Sequence, residues 1–114
     1  MSIEVVDRSK TYEVSHPLGA KFTFKHWDVD MQEETDKRCM VVENGVVTGY
    51  KLGVEREMKV ELAVVGWAGI TENGQEIPCT PENKRKLPIG VTLWLVREID
   101  ERAGLRMTEQ EKKS

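Results

Sequence analysis

Two short runs, Thr11-Tyr12-Glu13-Val14-Ser15 and Lys21-Phe22-Thr23-Phe24-Lys25, constrain this chain more than any other feature. Apolar residues recur at every second position in both, which puts them on one face of a strand. Between the runs lies His16-Pro17-Leu18-Gly19, whose proline and glycine punctuate a turn, so the pair reads as an antiparallel hairpin. Tyr12 and Val14 supply one strand's share of an apolar face, and Phe22 and Phe24 the other's. A two-stranded hairpin is marginal in water by itself. Its aromatic face must lean on something downstream, and the downstream sequence reads mainly as helix.

Asp28-Val29-Asp30-Met31-Gln32-Glu33 is a helix start, with Asp30 as cap and Glu33 three residues on to complete a capping box. The helix expected over 31–41 places Met31, Thr35, Arg38 and Cys39 near one face. Asn44-Gly45 then stands between valine pairs, which suits a small hairpin or an extended loop better than continued helix. The best helix pattern covers 54–68, where Met58, Leu62 and Val65 form a stripe widened by Val60, Val64 and Trp67. Strand is the competing reading at Leu62-Ala63-Val64-Val65, because valine is β-branched. Asn73-Gly74 centres a polar turn, and Ile77-Pro78-Cys79 is extended. Thr80 caps a short helix that has Pro81 in its first position and Pro88 soon after its end. The last helix is expected over 90–103, with Val91, Trp94, Leu95, Val96 and Ile99 as its apolar face and Gly104 as its stop. Together these elements predict an α+β fold, predominantly α-helical: an N-terminal β-hairpin followed by about four helices. They form a single domain over 1–106, and 107–114 is a charged tail without an apolar face, expected to be disordered.

Composition narrows the function classes. The 114 residues carry 17 basic against 20 acidic side chains, a net charge of −3, which argues against a nucleic-acid partner. No apolar run approaches the roughly 20 residues that span a bilayer, and no basic segment followed by an apolar one opens the chain, so no membrane partner is expected. Two cysteines, Cys39 and Cys79, are too few for a disulfide framework, and neither Cys-x-x-Cys nor His-x3-His spacing occurs for zinc. Reduced thiols in a reducing cytosol fit best.

The chemistry-bearing clusters have structural explanations. Asp28, Asp30, Glu33, Glu34 and Asp36 dress a helix start, whose dipole favours acids. Lys84-Arg85-Lys86 reads as a solvated helix end. Neither a glycine-rich phosphate cradle nor a Gly-x-Ser-x-Gly elbow is present. Ser15 and His16 are strand neighbours that point to opposite faces. A small enzyme would have to use the acidic cluster or Cys39. No catalytic residue, cofactor-binding residue, metal ligand or cofactor is assigned, and the chain reads as non-enzymatic. Three tryptophans, Trp27, Trp67 and Trp94, stand out in a chain with 6% aromatic residues, and side chains of this size dominate cores and partner interfaces alike.

Val65-Gly66-Trp67-Ala68-Gly69-Ile70 leads through the acidic Asn73-Gly74 loop to Ile77-Pro78-Cys79-Thr80-Pro81-Glu82-Asn83. This stretch resembles the tail assembly chaperones of long-tailed bacteriophages, in which a helix ends in a Trp-x-Gly-hydrophobic turn. An Asn/Asp-Gly loop and a hydrophobic-Pro-x-Ser/Thr-Pro-Glu-Asn segment follow and open the next helix. The upstream order, a hairpin and then a helix opened by an acid, is similar too, so the resemblance covers about 11–103. Cys79 departs from it, standing where a bulkier residue is expected, and Pro88 shortens the helix after Asn83. The resemblance implies a non-catalytic protein of the infected bacterium's cytoplasm. Such a protein binds the tape-measure protein, helps recruit tail-tube protein subunits, self-associates weakly and is absent from the finished virion. The alternative is a structural phage component, a head–tail connector or tail accessory protein. Trp67, Ile70, Ile77 and Pro78, beside Trp94, are the candidate protein-binding residues, because a helix-binding chaperone needs an apolar groove or face.

Overall fold

The computed structural model describes residues 2–104. The first hairpin forms as expected: β1 (Thr11–Ser15) and β2 (Lys21–Lys25) pair with Tyr12 opposite Phe24 and Val14 opposite Phe22. The apolar residues of both strands share one face, and Thr11, Glu13, Lys21 and Lys25 are exposed.

The first helix, α1 (Val29–Cys39), opens earlier than expected and its cap is Asp28 rather than Asp30. The Asp28 carboxylate accepts the Met31 N–H at 2.8 Å. Asp30 falls in the first turn, where the dipole also favours it, and pairs with Arg8 at 2.8 Å. Thr35 and Cys39, two of the residues expected on one face, are fully buried. The chain then passes into a second hairpin, β3 (Met40–Glu43) and β4 (Val46–Tyr50). Its turn is Asn44 at φ 52° and Gly45 at φ 76°, the pair of positive angles that a two-residue hairpin turn demands. Of the two readings open for this segment, hairpin is the one adopted.

The helix expected over 54–68 is half wrong. The chain is helical in α2 (Leu52–Ala63) and then becomes strand β5 (Val64–Ala68), which pairs antiparallel with β2 in a sheet of order β1-β2-β5. β-Branched Val64 and Val65 favour strand, and the open edge of β2 offers a hydrogen-bond ladder. A bulge makes the register work. Phe22 faces Trp67, Thr23 faces Gly66 and Phe24 faces Val64, so Val65 is the extra residue. Val64 and Trp67 would point to opposite faces of a regular strand; skipping Val65 turns both toward the face of Phe22 and Phe24. Trp67 therefore ends a strand here, where the resemblance implies a helix.

A third hairpin, β6 (Thr71–Glu72) and β7 (Gln75–Glu76), turns on Asn73 at φ 52° and Gly74 at φ 80°. In α3 (Pro81–Lys84) the Thr80 hydroxyl accepts the Asn83 N–H at 3.1 Å, with Pro81 in the first turn as read from sequence. The last helix, α4 (Ile89–Arg102), is followed by Gly104 at φ 73°. With 40% helix, 27% strand and three sheets among the described residues, the fold is mixed α+β, and the expectation of a predominantly helical fold is overturned. Among the described residues four helices are present, but strand replaces the expected helix end at β5 and the expected polar turn at β6 and β7.

Helices α2 and α4 pack together and cover the aromatic face of the sheet. Phe22, Phe24, Trp27, Val60, Ala63, Val64, Leu95 and Ile99 belong to one buried cluster. Within the layer, the buried Lys59 ammonium donates to Asp100 at 2.6 Å and to Glu55 at 3.2 Å, tying the two helices by charge as well as by packing. The tail expected over 107–114 lies outside the described residues. Among the described residues no helix is long and apolar enough to cross a membrane.

Candidate functional site

The five candidate residues meet at one corner of the sheet, but they do different things there. Phe22 is the hub. Trp67 meets its ring edge-on at 6.3 Å between centroids, and Trp94 meets it at 5.8 Å. The Trp67 indole N–H donates to the Ile77 carbonyl at 2.7 Å, holding the segment after β7 against the sheet. The Ile77 N–H donates to the Ile70 carbonyl at 3.0 Å, which closes the base of the third hairpin and sets the two isoleucines opposite each other.

Ile70 and Ile77 line a groove of about 340 Å³. Its floor is Ala20 and Phe22, and Leu87 approaches from the link between α3 and α4 and Val91 from the first turn of α4. Leu18, 86% exposed at the tip of the first turn, stands on its rim. That turn is held by His16, whose Nδ1 accepts the Leu18 N–H at 3.0 Å while its ring meets Trp94 at 4.6 Å. The polar rim is internally satisfied: Lys86 pairs with Glu72 at 3.1 Å, and the Asn83 side chain donates to the Pro78 carbonyl at 2.9 Å. An apolar floor with a closed polar rim can receive aliphatic side chains of a helix or extended segment.

Ile70 and Ile77 thus line the groove, Trp67 and Trp94 buttress it from behind, and Pro78 is an exposed anchor for Asn83 outside it. Sequence reasoning missed Leu18, Leu87 and Val91 as groove residues. Leu18 carries a usable signal, a large aliphatic side chain in a turn whose other residues are His, Pro and Gly.

The clusters that could carry other chemistry are occupied by structural work. Asp28 and Asp30 engage Arg8, Glu34 pairs with Arg38 at 3.6 Å, and Asp36 accepts from Gln32 and from the Tyr50 hydroxyl, each at 2.9 Å. Lys84 donates to the Glu61 carbonyl, Arg85 pairs with Glu57 and Lys86 with Glu72. Cys39 is buried. Burial pushes the Cys79 thiol above its ordinary value, with Lys84 opposing, so thiolate is scarce there at neutral pH. Among the described residues no group of three His, Cys, Asp or Glu side chains is placed to hold a metal ion. No protein-family model, curated protein or solved structure gives a match to the chain.

Proposed function

We propose that this protein is a non-catalytic assembly chaperone of a long-tailed bacteriophage, acting in the cytoplasm of the infected bacterium. In this reading it binds the tape-measure protein, helps recruit tail-tube protein, self-associates weakly and stays out of the finished virion. The observation that carries the reading is the groove of Ile70 and Ile77, an apolar slot with a satisfied polar rim, held in place by the Trp67-to-Ile77 hydrogen bond. Part of its lining, Gly69 to Glu72 with Ile77 and Asn83, comes from the stretch that carries the family resemblance. A groove of this kind suits shielding an amphipathic helix, and the charged exterior keeps the complex dissolved.

The test is a pull-down of tape-measure fragments encoded beside the gene. Binding by the unaltered chain, lost in Ile70→Asp and in Ile77→Asp while the fold persists by circular dichroism, is the expected result. A chain that ignores every such fragment at micromolar concentrations refutes the proposal. Mass spectrometry of purified virions separates a chaperone, which is missing from them, from a connector or tail accessory protein, which is present.

A further inference from the structure

A second groove lies on the outer side of the helical layer, where α2 meets α4. Two cavities of about 640 and 360 Å³ share Arg56 as a common wall. Leu52 and Leu93 border the smaller and Ile89 the larger, and all three side chains are exposed. Ile89 and Leu93 are one helical turn apart, so they form a short apolar stripe facing away from the core.

Charge is uneven along this groove. At the Leu52 and Leu93 end the carboxylates of Glu55 and Asp100 are engaged by Lys59. Arg56 and Arg97, at the same end, have no ion-pair or hydrogen-bond partner among the described residues. At the other end Arg85 is taken by Glu57, and Lys84 reaches the Glu61 carbonyl rather than its carboxylate. The Glu61 and Glu82 carboxylates there have no cation partner among the described residues. With Arg56 counted at the first end, Arg56, Arg97 and Lys59 outweigh Glu55 and Asp100 by one charge, whereas at the second Glu57, Glu61 and Glu82 outweigh Lys84 and Arg85 by one, and Leu52, Leu93 and Ile89 spread apolar surface along both.

We propose that this groove docks an amphipathic helix of a partner polypeptide in one orientation. The helix lies apolar face down, with acids in its first turn over Arg56 and Arg97 and bases in its last turn over Glu61 and Glu82. A helix is favoured over an extended strand because the walls are helices, whose backbone groups are bonded internally and offer no ladder to a strand. The charge gradient matches the usual one along helices, acids at the start and bases at the end, so the electrostatics select polarity as well as affinity. The surface adjoins the groove of Ile70 and Ile77 at Leu87, which lines both, and Ile70 and Ile77 themselves take no part in it.

The test uses two hydrocarbon-stapled helical peptides of about four turns, each with leucines along one face. One carries Glu in its first turn and Lys in its last; the other exchanges them, and the staple holds both helical. Binding to the full chain is read by fluorescence anisotropy. The first peptide is expected to bind at least roughly tenfold tighter than the second, with the preference inverted by Arg56→Glu plus Arg97→Glu. Leu52→Asp abolishes binding, and Ile70→Asp leaves it unchanged. Arg97→Glu alone, on an exposed side chain, narrows the preference even if the double variant folds poorly. Equal affinity for the two peptides overturns the proposal, as does failure to bind either or a preference that survives charge reversal. A dimer that Leu52→Asp splits also overturns it, since a second copy then occupies the groove.

Discussion

The β1–β2 and β3–β4 hairpins are built from similar material and meet opposite fates. Both are short antiparallel pairs rich in apolar residues, alternating in the first and consecutive in the second, yet Phe22 and Phe24 are fully buried while Val42, Val46 and Val47 are 58%, 63% and 56% exposed. The first hairpin gains β5 along one edge and the α2–α4 layer over one face. Among the described residues the second pairs with no further strand, and one of its faces, Met40, Val42, Val47 and Tyr50, is largely open. Polar bonds at its foot hold it: the Lys51 N–H donates to the Cys39 carbonyl at 2.8 Å, and the Tyr50 hydroxyl to Asp36 at 2.9 Å. β-Forming residues and turn chemistry decide that a strand forms; distant segments decide whether it becomes core.

The largest effects should fall on the covered hairpin and its cover. Phe22→Ala is expected to lower unfolding free energy by about 3–5 kcal/mol, read by urea denaturation. A loss below about 1 kcal/mol would mean that stability resides elsewhere than in this sheet. In the cover itself, Lys59→Met leaves the Asp100 carboxylate buried without its ammonium and is expected to cost about 3–5 kcal/mol. Lys59→Met combined with Asp100→Leu should recover most of that loss, because an apolar pair replaces a buried charge pair at little net cost. A double variant as unstable as the single one would assign the loss to packing instead.

Legibility follows the same division. The first hairpin and its shared apolar face were readable, because Tyr12, Val14, Phe22 and Phe24 alternate around an evident turn, and the structure adds the register. The Asn-Gly turns and the Thr80-Pro81 helix start were readable too, since each rests on backbone chemistry within a few residues. The switch from helix to strand at Val64 was not. Met58, Leu62 and Val65 fit a helical stripe, and only the distant open edge of β2 together with a bulge at Val65 makes strand the better state. At the site, Ile70 and Ile77 were visible from their hydrophobicity beside turn residues. Leu87 and Val91 were not, because their approach to the groove depends on how the link around Pro88 returns to the β1–β2 turn.

The two tyrosines sample the two regions and titrate in a way that compares them. Burial pushes the Tyr12 phenol up in the covered hairpin; burial, then hydrogen bonding to Asp36 and Glu55, pushes Tyr50 up at the foot of the other. Above the ordinary value of about 10, the unfolded chain has released protons that the native state retains, so native stability falls as pH rises through this range. Below about 10 the contribution is fully present. Absorbance at 295 nm should therefore stay low past the ordinary tyrosine range and rise only as the circular dichroism signal is lost. Tyrosinate appearing near pH 10 in a folded chain would show that at least one of the two phenols is not held, and its amplitude whether both are free. Tyr50→Phe is expected to cost about 1 kcal/mol and to speed amide exchange over 40–50 with little change at β1 and β2. Uniform acceleration would make the open hairpin part of the core's cooperative unit.

The smallest effect is expected where apolar residues have the least cover, in the β3–β4 hairpin. Threonine keeps the β-branch of valine, so Val42→Thr with Val47→Thr preserves strand preference and removes only methyl groups already in contact with water. Stability should change by no more than about 0.5 kcal/mol, whereas Val14→Thr, on a half-buried position of the covered hairpin, should cost about 1 kcal/mol or more. The comparison breaks if the double variant loses as much as Val14→Thr. Such a loss would mean that water is excluded from Val42 and Val47 in solution by another surface. Because a second copy covers them only by mass action, a loss that grows with protein concentration would identify that surface as the chain itself, and a loss independent of concentration would place the cover within the same molecule.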